Sequence, residues 1–436
     1  MNRLGNMRPC TGYCQMIGAA AALLSIKGIQ VIFNSPRWCA VIGERELMNA
    51  VKDYQERLFC SEARQKDILY GIEESLSASI VEAIANRMPK LLAILTSCSM
   101  SLIGDDILGI CNSYYRRYVP FLHEGYRTRP FLSIEAGGLT GSFTHGYQQA
   151  MLELLKQTNL KKTTQKNNKV NLLGICTCMP HWRGDLEEIK RILLLAGYDI
   201  GVSLGSDGLE LADIKRLPEA ALNVVLIPEL GHEIASYLEM ELGQKYLLLT
   251  WPYGFNNTLQ WLQHIGEAID WPPQLEELKN EISLAEKDIF DECFLLKHNF
   301  LDYSLQRIIM TTPYSIADSL RQAIENSGYD IISAQEYYIK TDESEIIDEK
   351  RNYHIWNENI SIDKLKADNY QLLLGTERER IGLGDLDRTI YLNFSMPSSK
   401  IKSKNIFFAG IRGWQNFMYM FKEQLNTLEY IKYQNQ

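Results

Sequence analysis

Short apolar runs alternate with longer segments in which apolar residues recur every three or four positions, and the alternation continues along the whole chain. Brief apolar runs bounded by turn residues predict buried strands, and the 3.6-residue period predicts helices packed on them. The runs at 29–33, 67–70, 91–95 and 131–135 predict strands. Helices are predicted over 73–86, 101–118 and, after a glycine-rich turn, 145–156. A second region predicts strands at 170–175, 198–203, 221–227 and 246–249, with helices at 185–196, 233–242 and 258–269. A charged helix over 273–298 leads to a third region with strands at 305–310, 329–332, 370–374 and 389–394 and a helix at 313–327. A long helix is expected from Trp414 onward.

Strands that alternate with helices imply parallel sheets covered on both faces. The expected fold is α/β, with three Rossmann-like domains whose parallel sheets are flanked by helices. The polar, basic stretch 156–169 is the best linker in the chain. It sets a first domain at 1–160, joined by the C-terminal helix at about 412–436, a second at 168–300 and a third at 301–411.

A chain of 436 residues is too long for one ordinary core, and its 46% hydrophobic and 23% charged composition is that of a globular protein. A formal net charge of −9 gives nucleic-acid binding little electrostatic support. The run 16–26 behind Arg3 and Arg8 imitates a signal peptide. No small-residue cleavage site follows it, so it is read as a buried helix leading into a buried strand. No stretch reaches the roughly 18 apolar residues of a membrane span. Cytoplasmic location, without membrane or nucleic-acid partners, is expected.

The nine cysteines are odd in number and irregular in spacing, which argues for a reducing compartment. Cys14, Cys39 and Cys98 stand out. Ligands of open parallel sheets bind beyond the carboxyl ends of strands. Cys39 follows the strand at 29–33 and Cys98 the strand at 91–95, so both reach one edge, and Cys14 joins them if its loop crosses that edge. Three thiolates from separate loops make a natural cradle for an iron–sulfur cluster. Cys111 and Cys293 read as packing residues, Cys10 and Cys60 stay open, and Cys176-Thr177-Cys178 is too tight for a usual zinc pair.

These motifs resemble the nitrogenase component 1 family. Cys14-Gln15-Met16-Ile17-Gly18-Ala19 is similar to the first cluster cysteine in its β-type form. Ser35-Pro36-Arg37-Trp38-Cys39 is similar to the second, and the stretch from Ser97 to Asp106 to the third. The intervals, 39 − 14 = 25 and 98 − 39 = 59 residues, fit as well. Further likenesses are Asp67-Ile68-Leu69-Tyr70-Gly71, the loop from Gly141 to Tyr147, and the helix start from Gly184 to Arg191.

The resemblance implies a cluster of the 4Fe–4S or 8Fe–7S type. It implies an α-like component 1 subunit as partner, in a heterodimer or an α2β2 heterotetramer. It also implies electron delivery by a separate ATP-dependent iron–sulfur reductase. The chain itself has no GxxxxGK[ST] loop. Three thiolates leave a four-iron cluster one ligand short, so the partner supplies the fourth or the two chains share a larger cluster. By position match Ser142 is a candidate oxygen ligand; the other reading is a turn serine.

Trp38 stands where the family usually has glycine, and a bulky ring there is expected to alter packing beside the cluster. The regions that hold a molybdenum cofactor in the dinitrogenase α subunit show no cysteine at 226–232 and no histidine at 393–397. A β-type oxidoreductase subunit is therefore the first expectation, and a scaffold for assembling a nitrogenase-type metallocofactor the second. A metal-free structural relative is the third. Asp105 and Asp106 are read as helix-start stabilisers, and His145 as a candidate proton donor ahead of His123 and His232.

Overall fold

In the computed structural model, the structure describes residues 13–86, 89–118, 131–139, 141–163, 167–299, 307–327, 336–340, 353–356, 372–375, 380–381, 390–394, 396–398, 400 and 403–434. Every strand pair in it is parallel, the consequence of joining strands through helices rather than hairpins.

The first sheet runs Leu58–Cys60, Ile29–Asn34, Leu91–Thr96, Phe131–Glu135. Its central strands are buried along their whole length, as a sheet with helices on both faces requires. The second sheet runs Lys245–Leu248, Leu222–Val225, Lys169–Leu173, Asp199–Ser203. The third runs Tyr353–Trp356, Glu336–Lys340, Arg307–Met310, Leu372–Gly375, Ile390–Asn393. The predicted α/β architecture of parallel sheets flanked by helices is the one observed. A two-residue ribbon, Ile26–Lys27 against Leu209–Glu210, ties the first unit to the second.

Each sheet reverses its winding once. In the first sheet the chain goes from Ile29–Asn34 outward to Leu58–Cys60, then crosses back to Leu91–Thr96 on the other side. The crevice at that reversal lies beyond Asn34 and Thr96, where an open sheet offers its ligand site.

The apolar run 15–24 is a helix, Gln15–Leu24, buried from end to end. It packs most closely on the helix Phe143–Gln157. The approach depends on glycine in both partners. A Cβ at Gly18 would lie 1.8 Å from the Phe143 carbonyl oxygen, and one at Gly146 would lie 2.0 Å from the Gln15 carbonyl oxygen. This contact sets the start of the first helix beside the start of the other.

Two local expectations change. The run 67–70 belongs to a helix, Gln65–Tyr70, because the Asp67 carboxylate accepts the Arg64 N–H at 2.7 Å and closes the first turn. Its apolar residues Ile68, Leu69 and Tyr70 are exposed rather than buried. The helix expected over 101–118 is two, Cys98–Ser101 and Ile107–Tyr118. Gly104 between them has φ +77°, a conformation no helix interior allows. The strand expected at 329–332 lies outside the described residues, and the strand Glu336–Lys340 had no counterpart in the pattern. The helix Arg37–Leu47 had no counterpart in the pattern.

The C-terminal helix Gly410–Gln434 packs mainly on Trp182–Leu195, Phe255–Ile269, Glu276–Asn299 and the strand Ile390–Asn393, elements of the second and third units. Two carboxylates of Trp182–Leu195 fasten its start. Asp185 accepts the N–H groups of Phe408 and Ala409 at 2.7 and 2.8 Å, and Glu188 accepts that of Arg412 at 3.2 Å. Among the described residues no helix is long and apolar enough to cross a membrane.

Candidate metal centre

The crevice of the first sheet is built from the ends of its strands. Cys39 lies in the first turn of Arg37–Leu47, just beyond Asn34. Cys98 opens the short helix Cys98–Ser101, just beyond Thr96. Gly137 and Gly138 follow the strand Phe131–Glu135. Cys14 is the residue that starts Gln15–Leu24 and reaches the same place by an isolated backbone bridge to Ser142. The glycine-packed helix pair therefore delivers both Cys14 and Ser142.

The thiols of Cys14, Cys39 and Cys98 are half-buried and free. Burial pushes the Cys14 thiol up first, and the Cys98 charge adds to it. Cys39 is likewise raised, first by burial and then by Cys14, Cys98 and Cys60. Against this, the N–H groups of Met16, Ile17 and Gly138 point at the Cys14 sulfur and favour its thiolate.

Two glycines leave room at the sulfurs. A Cβ at Gly138 would lie 3.1 Å from the Cys14 sulfur, and one at Gly137 would lie 3.4 Å from the Cys98 sulfur. A side chain on either glycine would crowd the face on which a group between the thiols must sit. Soft thiol donors, oriented N–H groups and a backbone without side chains fit an anionic sulfur-bridged iron cluster. Among the described residues no three His, Cys, Asp or Glu side chains close on a single ion.

The other candidates take ordinary places. Ser142 stands at the start of Phe143–Gln157 with its hydroxyl 2.9 Å from that of Thr144. Asp106 accepts the Gly109 N–H at 2.8 Å at the start of its helix, and Asp105 accepts the Ile72 N–H at 2.9 Å. Trp38, next to Cys39, is 72% exposed. Cys111 is buried in a separate small core, and its thiol is pushed up to about 12 by that burial. Cys176 and Cys178 are fully buried behind the second sheet's reversal. Cys10 and His123 lie outside the described residues, as does the side chain of Cys293.

Periodicity could not place one further feature. A cavity of about 670 Å³ opens beside Ser142. It draws Thr144 and His145 from the first unit, Glu229 and His232 from the second, and Ser315 and Asp318 from the third. Glu229 is committed there, since it accepts the Ser315 N–H at 2.8 Å and the Ser315 hydroxyl at 2.5 Å.

Fold and crevice together define a three-sheet α/β protein with thiols gathered at a topological switch point. The chain belongs to the nitrogenase component 1 type oxidoreductase family, whose model matches residues 14–426. It is 25% identical over 343 residues to the nitrogenase iron-molybdenum cofactor biosynthesis protein NifE of Clostridium pasteurianum, covering 77% of this chain and 70% of the relative. It is 28% identical over 274 residues to one subunit of the light-independent protochlorophyllide reductase of Prosthecochloris aestuarii, covering 63% of this chain and 48% of the relative. The chain thus spans about half the length of that reductase polypeptide. Two solved nitrogenase structures, of Cp1 at pH 6.5 and at pH 5, share the fold. Their TM-scores are 0.74 and 0.69 at 14% and 17% identity, over 97% and 98% of this chain and 93% and 89% of theirs.

Proposed function

We propose that the chain is a β-type subunit of a nitrogenase-like iron–sulfur oxidoreductase. In this reading Cys14, Cys39 and Cys98 hold a 4Fe–4S or 8Fe–7S type cluster, with Ser142 as an accessory oxygen ligand. The observation that carries it is the delivery of three thiols from separate elements to one glycine-backed switch point. Such a cluster supplies one-electron transfer, at a potential set by charge, hydrogen bonds and burial. The chain's own residues do the rest. The N–H groups of Met16, Ile17 and Gly138 steady the Cys14 thiolate, and Gly137 and Gly138 keep the face open.

Electrons enter from a separate ATP-dependent iron–sulfur reductase, and an α-like component 1 subunit completes the cluster site in a heterodimer or heterotetramer. The exposed side chains Trp38, Leu69, Tyr70, Leu102 and Leu139 support the interface: they sit on the loops and helices at that sheet edge. Large apolar side chains held in water beside a ligand site mark a partner's place. We keep the division at 1–160, 168–300 and 301–411, and assign the C-terminal helix by its contacts to the last two units. A cytoplasmic location accords with the free thiols.

The likeness to NifE favours a second reading, a scaffold that holds a cluster during assembly of a nitrogenase-type metallocofactor and passes it on. Anaerobic reconstitution separates the two. Repeated reduction of a substrate with the reductase and ATP marks the oxidoreductase. Stoichiometric transfer of iron to an acceptor protein, without turnover, marks the scaffold.

A further inference from the structure

A fourth thiol stands at the same sheet edge. The strand Leu58–Cys60 pairs with Ile29–Asn34 in a register that sets Cys60 opposite Phe33, just before the connection that leads to the helix of Cys39. Its sulfur donates to the Ser35 carbonyl at 3.4 Å and accepts the Glu62 N–H at 3.3 Å, with the Ser35 hydroxyl 3.7 Å away. The next residues repeat the tie. Ser61 and Ala63 donate their N–H groups to the carbonyls of Phe33 and Ser35, each at 3.0 Å. The Ser61 hydroxyl accepts the Ser35 N–H and donates to Asn34 Oδ1, both at 3.1 Å.

Glu62 holds φ +49°, the left-handed region that a residue other than glycine occupies at a cost. Its N–H donates to the Cys60 sulfur. A half-buried cysteine commonly packs as a small apolar residue. This one is instead bonded on one side to its own turn and on the other to Ser35, four residues before Cys39.

We propose that Cys60 is a positioning residue for Cys39: its thiol fixes Ser35 at the entry to the helix Arg37–Leu47 and so sets where the Cys39 sulfur stands. The clamp is a property of the metal-free chain; its consequence for a cluster rests on the function proposed above. Serine at position 60 keeps a donor for the Ser35 carbonyl, and alanine does not.

The test compares wild type, Cys60→Ala and Cys60→Ser in the full chain. Cys39 alkylation by iodoacetamide is followed in the metal-free protein by peptide mass spectrometry, with buried Cys111 as the control for unfolding. The expected rate at Cys39 rises roughly threefold to tenfold in Cys60→Ala and stays within about twofold in Cys60→Ser, while Cys111 is unchanged. After loading with ferrous iron and sulfide, Cys60→Ala shifts the visible spectrum and midpoint potential, and Cys60→Ser restores them. Equal Cys39 reactivity in all three proteins overturns the proposal. So does loss of iron in both variants with unchanged Cys39 reactivity, which makes Cys60 a ligand instead. If wild type takes up no iron, the cluster reading fails, and the alkylation rates still decide the clamp.

Discussion

Burial favours the neutral thiol at Cys14 and Cys39; Cys98 adds to this at Cys14, and Cys14 and Cys98 add to it at Cys39. Iron binds thiolates, so each must give up a proton as metal enters. The sign follows: with thiol pKa values above the ordinary 9.0, uptake strengthens as pH rises through the neutral and mildly alkaline range. The expected slope, from iron retained by apo-protein at pH 7, 8 and 9, is up to roughly tenfold per pH unit for each thiol deprotonated. A flat profile would contradict thiolate ligation. At this scale the sequence was informative where chemistry and position coincided. Cys39 and Cys98 are soft donors just past buried strands, and both can be read from the chain. Cys60 could not be, because its strand has three residues and shows no period. Gly137 and Gly138 escaped too, since their part is to carry no side chain.

Among the elements, the helix pair Gln15–Leu24 and Phe143–Gln157 carries the site. Gly18→Ala would drive a methyl group into the Phe143 carbonyl. The expected cost is about 2–3 kcal/mol, seen as a lower denaturation midpoint, with weakened iron retention because Cys14 and Ser142 move apart. A second prediction concerns the joint held by Asp185. Burial raises its carboxyl to about 7. Among the described residues its Oδ2 has no hydrogen-bond partner, and Tyr253 Oη is buried without one as well. A native carboxyl that keeps its proton while the unfolded one loses it makes stability fall as pH rises from about 4 to about 7. Asp185→Asn keeps the acceptor for Phe408 and Ala409 without the buried charge. It should flatten that decline and gain on wild type by on the order of a few kcal/mol at pH 8. Denaturant melts at pH 5 and pH 8 read this directly, and parallel curves would refute it. Element types were legible where the apolar period was long, as in Glu73–Asn86. They were not where one side chain decided, as when Asp67 turned a strand-like tetrapeptide into a helix.

Over the whole molecule, three sheets each reverse their winding, and the cavity beside Ser142 collects residues from all three units. Alternating strands and helices reveal parallel sheets but not strand order. The switch point that unites Cys39 with Cys98 could be expected only from the rule that ligands gather at strand ends. Distant contacts such as Glu229 with Ser315 leave no trace in local pattern. The central claim is that one sheet edge of this chain, completed by a partner, holds a cluster. The measurement that tests it is iron and acid-labile sulfide after anaerobic co-purification with the α-like partner, beside Cys98→Ala. The account predicts about four or about eight irons per heterodimer with matching sulfide, and most of it lost in the variant. Wild-type complex without iron, or full iron retained in Cys98→Ala, would contradict it.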